Sequence, residues 1–140
     1  MTITLQLVLD CADPHAQARF WAAALGYEVE RNEDLIEKML AAGFATEADV
    51  VTVGGRLEWK EAAACRDPEG QRSRLYFQLV PEPKATKNRF HLDLQIGAAD
   101  RAGEVERLAA LGARWLYEGV QGPHTWVTMA DPEGNEFCVA

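Results

Sequence analysis

The feature that most constrains this 140-residue chain is a pair of four-residue motifs. Each motif occurs twice, and the two occur in the same order both times. AALG occurs at 23–26 and 109–112, and DPEG occurs at 67–70 and 131–134. Each AALG closes a predicted helix that an aspartate opens, and each DPEG turn precedes a β-rich run. One such match arises easily by chance, but two different matches in one order indicate an internal duplication.

The duplication predicts an α+β fold built from two tandem βαβββ modules, at 1–80 and 90–140, joined by a linker at 81–89. A helix predicted near 33–42 is an insertion in the first module, and the sequence leaves open whether it acts as a lid. One helix covers only one face of a four-stranded sheet. We therefore expect a curved, incomplete barrel-like sheet with helices outside and a ligand cavity inside.

Composition and charge narrow the possible partners and the compartment. The formal net charge of −8 disfavours binding to phosphate backbones, so no nucleic-acid partner is expected. No apolar run approaches the roughly 20 residues that span a bilayer, so no membrane partner is expected either. The start lacks the basic segment of a secretory signal, and the three cysteines are widely spaced. These features predict a cytoplasmic protein.

Alternation along the predicted strands sorts their side chains into a packed face and a cavity face. In the strand predicted at 3–9, Leu5 packs inward and Gln6 faces the cavity. Polar or reactive side chains on the cavity face of the four strands are Gln6, Gln78, His91, Asp93, Glu136 and Cys138. Aromatic candidates for the cavity walls are Trp59, Tyr76, Trp115, Tyr117 and Trp126. Aromatic walls with few polar groups suit a planar or hydrophobic ligand.

Three of these residues are candidates for catalysis. Asp93 can fix the tautomer of His91 or accept its proton, and Glu136 lies on the same predicted face. The same His–Asp pair is equally common as a structural hydrogen bond, and Cys138 is either a nucleophile or an inert thiol. A basic group at 84–89 either attracts an anionic ligand or is a solvated linker.

The chain resembles the vicinal-oxygen-chelate superfamily, in particular its glyoxalase-like and bleomycin-resistance-like branches. The resemblance covers nearly the whole chain. It rests on Asp13, Phe20-Trp21, Leu25-Gly26, the PEPKATKNRFHLDL stretch at 81–94 and the terminal DPEGNEF. It implies the fold expected above and, because members often pair, a homodimer. Unpaired strand edges would also favour a second copy.

Metal-dependent members of that superfamily hold one divalent cation with His, Gln or Glu from the first and last strands of each half. The resemblance places these ligand positions at Gln6, Gln78, His91 and Cys138. Both expected carboxylates are missing, and hard cations such as Mg²⁺ or Mn²⁺ prefer anionic oxygens. We therefore expect no such metal, although a Zn²⁺ site through His91 and Cys138 stays open.

The sequence thus predicts a binder of a small organic ligand without the usual metal site and with an unknown cofactor requirement. The alternative is an enzyme, a metal-dependent or His-based lyase, isomerase or dioxygenase of the glyoxalase type. A third possibility is an interaction module whose cavity has lost its use. Fold likeness alone does not choose among them, because one fold hosts many chemistries.

Overall fold

The computed structural model describes all 140 residues, which form two compact units, 1–82 and 83–140. The first unit contains β1 (Leu7–Cys11), α1 (Pro14–Leu25), β2 (Glu28–Val29), α2 (Glu33–Ala42), a 3₁₀ turn (Glu47–Asp49), β3 (Val50–Val53), β4 (Arg56–Trp59), β5 (Ala62–Arg66) and β6 (Leu75–Leu79). The second contains β7 (Asp93–Leu94), α3 (Arg101–Leu111), β8 (Arg114–Gln121), β9 (His124–Ala130) and β10 (Glu136–Val139).

The two units repeat one sheet topology. The strand order is β1-β6-β5-β2 in the first unit and β7-β10-β9-β8 in the second. In each unit the first and last strands are parallel neighbours, and the last strand pairs with the one before it in antiparallel fashion. Both sheets are open at their edges. The α+β class is therefore confirmed, and none of the sheets closes into a barrel.

The first unit carries an insertion that the second lacks. Between β2 and β5 stand α2, the 3₁₀ turn and the β3–β4 hairpin, whereas β8 leads directly into β9. The helix expected near 33–42 is present. The β-rich run at 57–63 predicts a single strand there, and this prediction is wrong: β4 ends at Trp59, and β5 begins at Ala62 in a different sheet. The insertion is thus a helix and a hairpin, not a helix alone.

Helix α1 forms as its sequence predicts. The Asp13 side chain accepts a hydrogen bond from the Ala16 N–H at 3.0 Å, and Pro14 occupies the first turn. Gly26 ends the helix with φ +68, a left-handed conformation that glycine adopts without strain. The helix buries Phe20 and Trp21, whose rings meet edge to face with centroids 5.2 Å apart.

Helix α3 departs from its prediction in two details. The Asp100 side chain makes no capping hydrogen bond, because this residue already has helical backbone angles rather than the extended ones of a cap. The sequence predicts an inner face of Val105, Leu108 and Ala109; Leu108 is fully buried, but Ala109 is exposed. None of the three helices combines the length and apolar character needed to cross a membrane.

Both DPEG motifs fold around their first carboxylate. The side chain of Asp67 accepts from the Gln71 and Arg72 N–H groups, each at 3.0 Å. The side chain of Asp131 accepts from the Glu133 N–H at 2.9 Å and the Asn135 N–H at 3.0 Å. In each turn the buried carboxylate accepts several backbone hydrogen bonds, which explains why the same DPEG motif forms both turns.

The opening strand of each unit is shorter than expected. The first ladder pair of β1 is Leu7 with Leu75, so residues 3–6 have no neighbouring strand in this unit. Leu5 is consequently 72% exposed, and the expectation that it packs inward is wrong. The sequence predicts a strand over 90–96, of which β7 covers only two residues, although hydrogen bonds to residues 138–140 continue from 92 to 97.

Candidate functional site

A cavity of about 320 Å³ lies on one face of the second unit's sheet. The opposite face carries the buried residues that pack against α3. Its lining consists of Lys87, His91, Asp93, Tyr117, Gln121, Trp126, Thr128, Glu136, Cys138 and Ala140. Strand alternation predicted that His91, Asp93, Glu136 and Cys138 would share a face, and the structure brings all four together. Their individual roles stay predictions.

Three donor atoms form the centre of this cavity. His91 Nε2 lies 3.2 Å from Asp93 Oδ1, and the β7–β10 register pairs Asp93 with Cys138. The ligand atoms of His91, Asp93 and Cys138 all lie within 4.8 Å of one another. An imidazole, a carboxylate and a thiol at this spacing can exchange a proton or share one small cation.

The Cys138 thiol is half-buried next to the Asp93 carboxylate. Burial raises its pKa, and the nearby Asp93 charge raises it further. The Thr128 hydroxyl lies 3.6 Å from Sγ and lowers the pKa, but not enough to offset these two causes. The thiolate is the reactive form of cysteine, so a raised pKa argues against a nucleophilic role.

Glu136 holds a neighbouring segment of the chain in place. Its carboxylate accepts from the Asn88 N–H at 3.0 Å and from Lys84 Nζ at 3.2 Å. Burial alone would raise the pKa of Glu136, but these hydrogen bonds bring it below its ordinary value. Residues 84–88, expected from the sequence to belong to a linker, are thereby attached to β10. Glu136 is a firmly ionised anchor and a weak candidate for a general acid.

Trp126 forms an aromatic wall because its neighbour is a glycine. The β8–β9 register pairs Trp126 with Gly119. A Cβ added at Gly119 would lie 2.1 Å from Trp126 Cε2, so no larger residue fits without moving the indole. Position 119 therefore requires glycine because the indole approaches so closely, and not because of a positive φ.

Trp115 corrects the predicted set of aromatic walls. An irregularity in the β8–β9 register falls between Trp115 and Tyr117. Trp115 pairs with Met129, which is fully buried on the packed face, whereas Tyr117 pairs with Thr128 on the cavity face. A β-bulge adds one residue and reverses the alternation beyond it, which no count along the sequence anticipates. Trp115 therefore does not line the cavity.

The repeat identifies which first-unit residues correspond to the cavity residues of the second. Ala64 lies three residues before the first DPEG aspartate and pairs with Tyr76. Thr128 lies three residues before the second DPEG aspartate and pairs with Cys138. Tyr76, not Gln78, is therefore equivalent to Cys138, and the predicted ligand position at Gln78 is displaced by two residues. The turn after the first DPEG is two residues longer, which the sequence match did not show.

The same correspondence relates Gln6 to His91 and Arg74 to Glu136. Arg74 Nη1 donates to Gln6 Oε1 at 2.7 Å, while Nε and Nη2 donate to the two oxygens of Glu30 at 2.7 and 2.6 Å. The first unit thus places a guanidinium where the second places a carboxylate. A cation at this position opposes binding of a metal ion beside Gln6.

Trp59 and Tyr76, both predicted cavity residues, line a different cavity of about 830 Å³ within the first unit. Glu30 and Arg74 also line it, and sequence reasoning missed both. Their pairing joins the residue just before β6 to the residue just after β2, 44 positions apart. An alignment of the two modules with the correct turn length would have indicated Arg74.

A family model described as "Glyoxalase-like domain" matches residues 6–140. The chain belongs to this glyoxalase-like family. Among solved structures, this glyoxalase-like chain is similar to the fosfomycin resistance protein FosX from Mesorhizobium loti, with 12% identity, a TM-score of 0.64, and coverage of 99% of this chain and 90% of that chain. It is also similar to a glyoxalase/bleomycin resistance protein/dioxygenase family enzyme from Burkholderia phytofirmans PsJN, with 14% identity, a TM-score of 0.62, and coverage of 96% and 94%.

These likenesses support the vicinal-oxygen-chelate fold that the sequence predicted, and identities this low speak to fold alone. A hypothetical protein from S. aureus shares the same glyoxalase-like architecture at 13% identity and a TM-score of 0.61, over 99% of this chain and 96% of that one. No curated protein sequence matches the chain.

Proposed function

We propose that this glyoxalase-like protein binds a small organic molecule in the second-unit cavity and does not need a divalent metal ion to do so. The observation that carries the proposal is the lining: two aromatic side chains, Tyr117 and Trp126, surround about 320 Å³ together with six polar ones, Lys87, His91, Asp93, Gln121, Thr128 and Glu136. Aromatic walls with polar groups that converge on one space are a common form of small-molecule site. The volume suits a compact ligand of about the size of one or two rings.

The side chains at the family's metal positions support a metal-independent site. Gln6 Oε1 accepts from Arg74, Tyr76 stands at the second position, and Cys138 has a raised pKa. Hard cations require anionic oxygen ligands, and these three positions supply none. FosX from Listeria monocytogenes, a structural relative, was solved with Mn(II) and a dihydroxypropylphosphonic acid. In the present chain Gln6, Tyr76 and Cys138 offer no carboxylate to such an ion.

A thermal-shift screen with compact aromatic molecules tests the proposal. A ligand that binds only the folded state raises the melting temperature. At one hundred times its Kd it adds about 2.7 kcal/mol to the free energy of unfolding. The shift should disappear in Trp126→Leu and persist in Trp115→Leu, because Trp115 lies on the opposite face. A screen in which no compound shifts the wild type, or in which Trp115→Leu alone loses the shift, would contradict the proposal.

The second candidate is a glyoxalase-type enzyme, either zinc-dependent or reliant on His91 and Asp93 for proton transfer. It is favoured by the three donor atoms of His91, Asp93 and Cys138 within 4.8 Å. Zn²⁺ accepts nitrogen, oxygen and sulfur ligands together and lowers the pKa of a thiol that it binds. Stoichiometric zinc in purified protein, lost in His91→Ala and Asp93→Asn but not in Glu136→Gln, would favour this candidate over the first.

We also propose a homodimer. Strands β1 and β7 each lie at the edge of their sheet, and the segments beside them expose Leu5 and Phe90, which is 93% exposed. Apolar side chains beside an unpaired strand edge favour association with another copy. Light scattering on purified protein should give a mass of two chains. The double variant Leu5→Lys, Phe90→Lys should give the mass of a single chain. A monomeric wild type would end this proposal.

We propose the cytoplasm as the working compartment. None of Cys11, Cys65 and Cys138 forms a disulfide, and the first two are buried. Proteins that retain several unpaired thiols are typical of reducing compartments. Fractionation of cells that express the full natural gene product tests this, and recovery in an extracellular or membrane fraction would contradict it.

A further inference from the structure

The first unit contains a cavity of about 830 Å³ that the proposed function does not use. The inserted segment supplies part of its wall, through Leu35, Met39, Phe44 and Trp59, and β6 supplies Tyr76. The floor is made by the three alanines 62–64 of β5, whose small side chains leave the space open. No residue of this cavity belongs to the second-unit cavity.

The apolar side chains of this cavity are exposed to a degree that favours a ligand. Phe44 is 82% exposed and Leu35 is 46% exposed, although both lie within the cavity lining. Covering such surface with an apolar molecule releases about 25 cal/mol for each Å² removed from water. A concave apolar surface with a few polar groups is a common place for a bound molecule.

The charged groups in the lining define which molecules fit. Glu30 and Arg74 form a bidentate pair, and the hydrogen bond from Arg74 lowers the pKa of Glu30 so that both stay charged. Glu30 balances the charge of Arg74, and with the hydrogen bond to Gln6 three of the five N–H groups of Arg74 are taken. An anion would therefore have to compete with Glu30 for the guanidinium.

Two carboxylates in the same lining have no basic partner within it. Asp49 accepts hydrogen bonds from the N–H and hydroxyl of Thr46, which do not neutralise its charge. Glu61 is an exposed carboxylate at the cavity edge. With Glu30 and Arg74 cancelling, the lining carries an excess negative charge from Asp49 and Glu61. Aromatic side chains beside negative charge favour a cation, since the ring face is also negative.

We propose that the first-unit cavity is a ligand site for small hydrophobic cations, namely aryl or alkyl groups that carry an ammonium. The apolar part lies against Leu35, Met39 and Trp59, and the ammonium is attracted by Asp49 and Glu61. An anionic molecule of the same shape is repelled by both carboxylates and by the net charge of −8 of the whole chain.

Isothermal titration with three probes of nearly equal size tests the charge preference. The probes are 1-naphthylmethylamine, protonated at pH 7, its neutral alcohol analogue 1-naphthylmethanol, and the anion 1-naphthoate. We expect the amine to bind about tenfold more tightly than the alcohol, and the anion to bind most weakly. The advantage of the amine should shrink at high ionic strength. Equal binding of the three probes, tighter binding of the anion, or no binding at all would overturn the inference.

Matched variants locate the bound amine. Glu61→Gln should weaken the amine severalfold and leave the alcohol unchanged, whereas Glu82→Gln, an exposed acid outside the lining, should change neither. Trp59→Leu should weaken both probes, because it removes wall area rather than charge. Loss of amine binding in Trp126→Leu with retention in Trp59→Leu would place the molecule in the second-unit cavity and contradict the inference.

Discussion

The first and second units share a strand order and a register but differ in nearly every side chain on their cavity faces. Where the second unit has His91, Glu136 and Cys138, the first has Gln6, Arg74 and Tyr76. In the first unit, Arg74 and Glu30 neutralise each other and an insertion adds apolar walls. In the second, an imidazole, a carboxylate and a thiol stay close together. Duplication preserved the backbone pairing, while substitution made two cavities with different chemistry.

The largest expected effect concerns the two packed faces, where the units should behave alike. Phe77 in the first unit and Phe137 in the second are both almost completely buried. Phe77→Ala and Phe137→Ala should each lower the free energy of unfolding by about 3–5 kcal/mol, through lost burial and an unfilled cavity. Urea unfolding measures both. A loss below 1 kcal/mol in either variant would show that the units do not depend equally on their cores.

The next effect is specific to the second unit. Gly119→Ala places a methyl group within the indole of Trp126 and should lower the free energy of unfolding by about 1–3 kcal/mol. Gly103→Ala is the control, because a Cβ at this position in α3 meets nothing and should stabilise the helix by about 0.5–1 kcal/mol. Tryptophan fluorescence should change in the first variant and not in the second. Unchanged fluorescence in Gly119→Ala would contradict the placement of Trp126.

A third effect is the pH dependence of stability. It should be larger for the Glu30–Arg74 pair of the first unit than for an ion pair on the surface. The Arg74 hydrogen bond lowers the pKa of Glu30 below its ordinary 4.5, so the unfolded state takes up a proton first. The stabilisation is thus complete above pH 4.5 and is lost as the pH falls through the lower folded value. The stability difference between wild type and Glu30→Gln should be larger at pH 7 than at pH 3.

The control for this prediction is Glu33→Gln, which removes an ion pair with the exposed Arg31 and Arg56. Exposed pairs are typically worth under 1 kcal/mol, so this variant should show little change between the two pH values. A Glu30→Gln variant that matches the control at every pH would show that the first-unit pair contributes no stability. Chemical denaturation at several pH values supplies the data.

The smallest expected effect compares one thiol from each unit. Cys65 is fully buried, and burial raises its pKa to about 12. Cys138 is half-buried with a smaller rise. Iodoacetamide at pH 8 should therefore modify Cys138 slowly and Cys65 only after unfolding, because the thiolate is the reactive species. Peptide mass spectrometry reports the order, and earlier labelling of Cys65 would reverse the comparison.

Several parts of the second-unit site could be predicted from local pattern. Strand alternation places His91 and Asp93 on the cavity face of their strand. The same rule places Glu136 and Cys138 on the same face of the neighbouring strand. These strands contain no bulge, so counting by two is sufficient. The same rule failed at Trp115, because a bulge between it and Tyr117 reverses the faces. The position at Gln78 was wrong for a different reason: the two DPEG turns differ in length, so the match between the repeats was displaced by two residues on the same face.

The sequence alone determined the repeated order of strands and helix, the three helices and a turn at each DPEG motif. These follow from capping residues, glycines and repeated motifs that act over a few residues. Only the tertiary structure decided where Arg74, Glu30 and Lys84 find their partners, and that there are two cavities. Those contacts join residues more than 40 positions apart, at 74 and 30 and at 84 and 136. Local propensity carries no information about such pairs, since they depend on strand register and turn length in the folded chain.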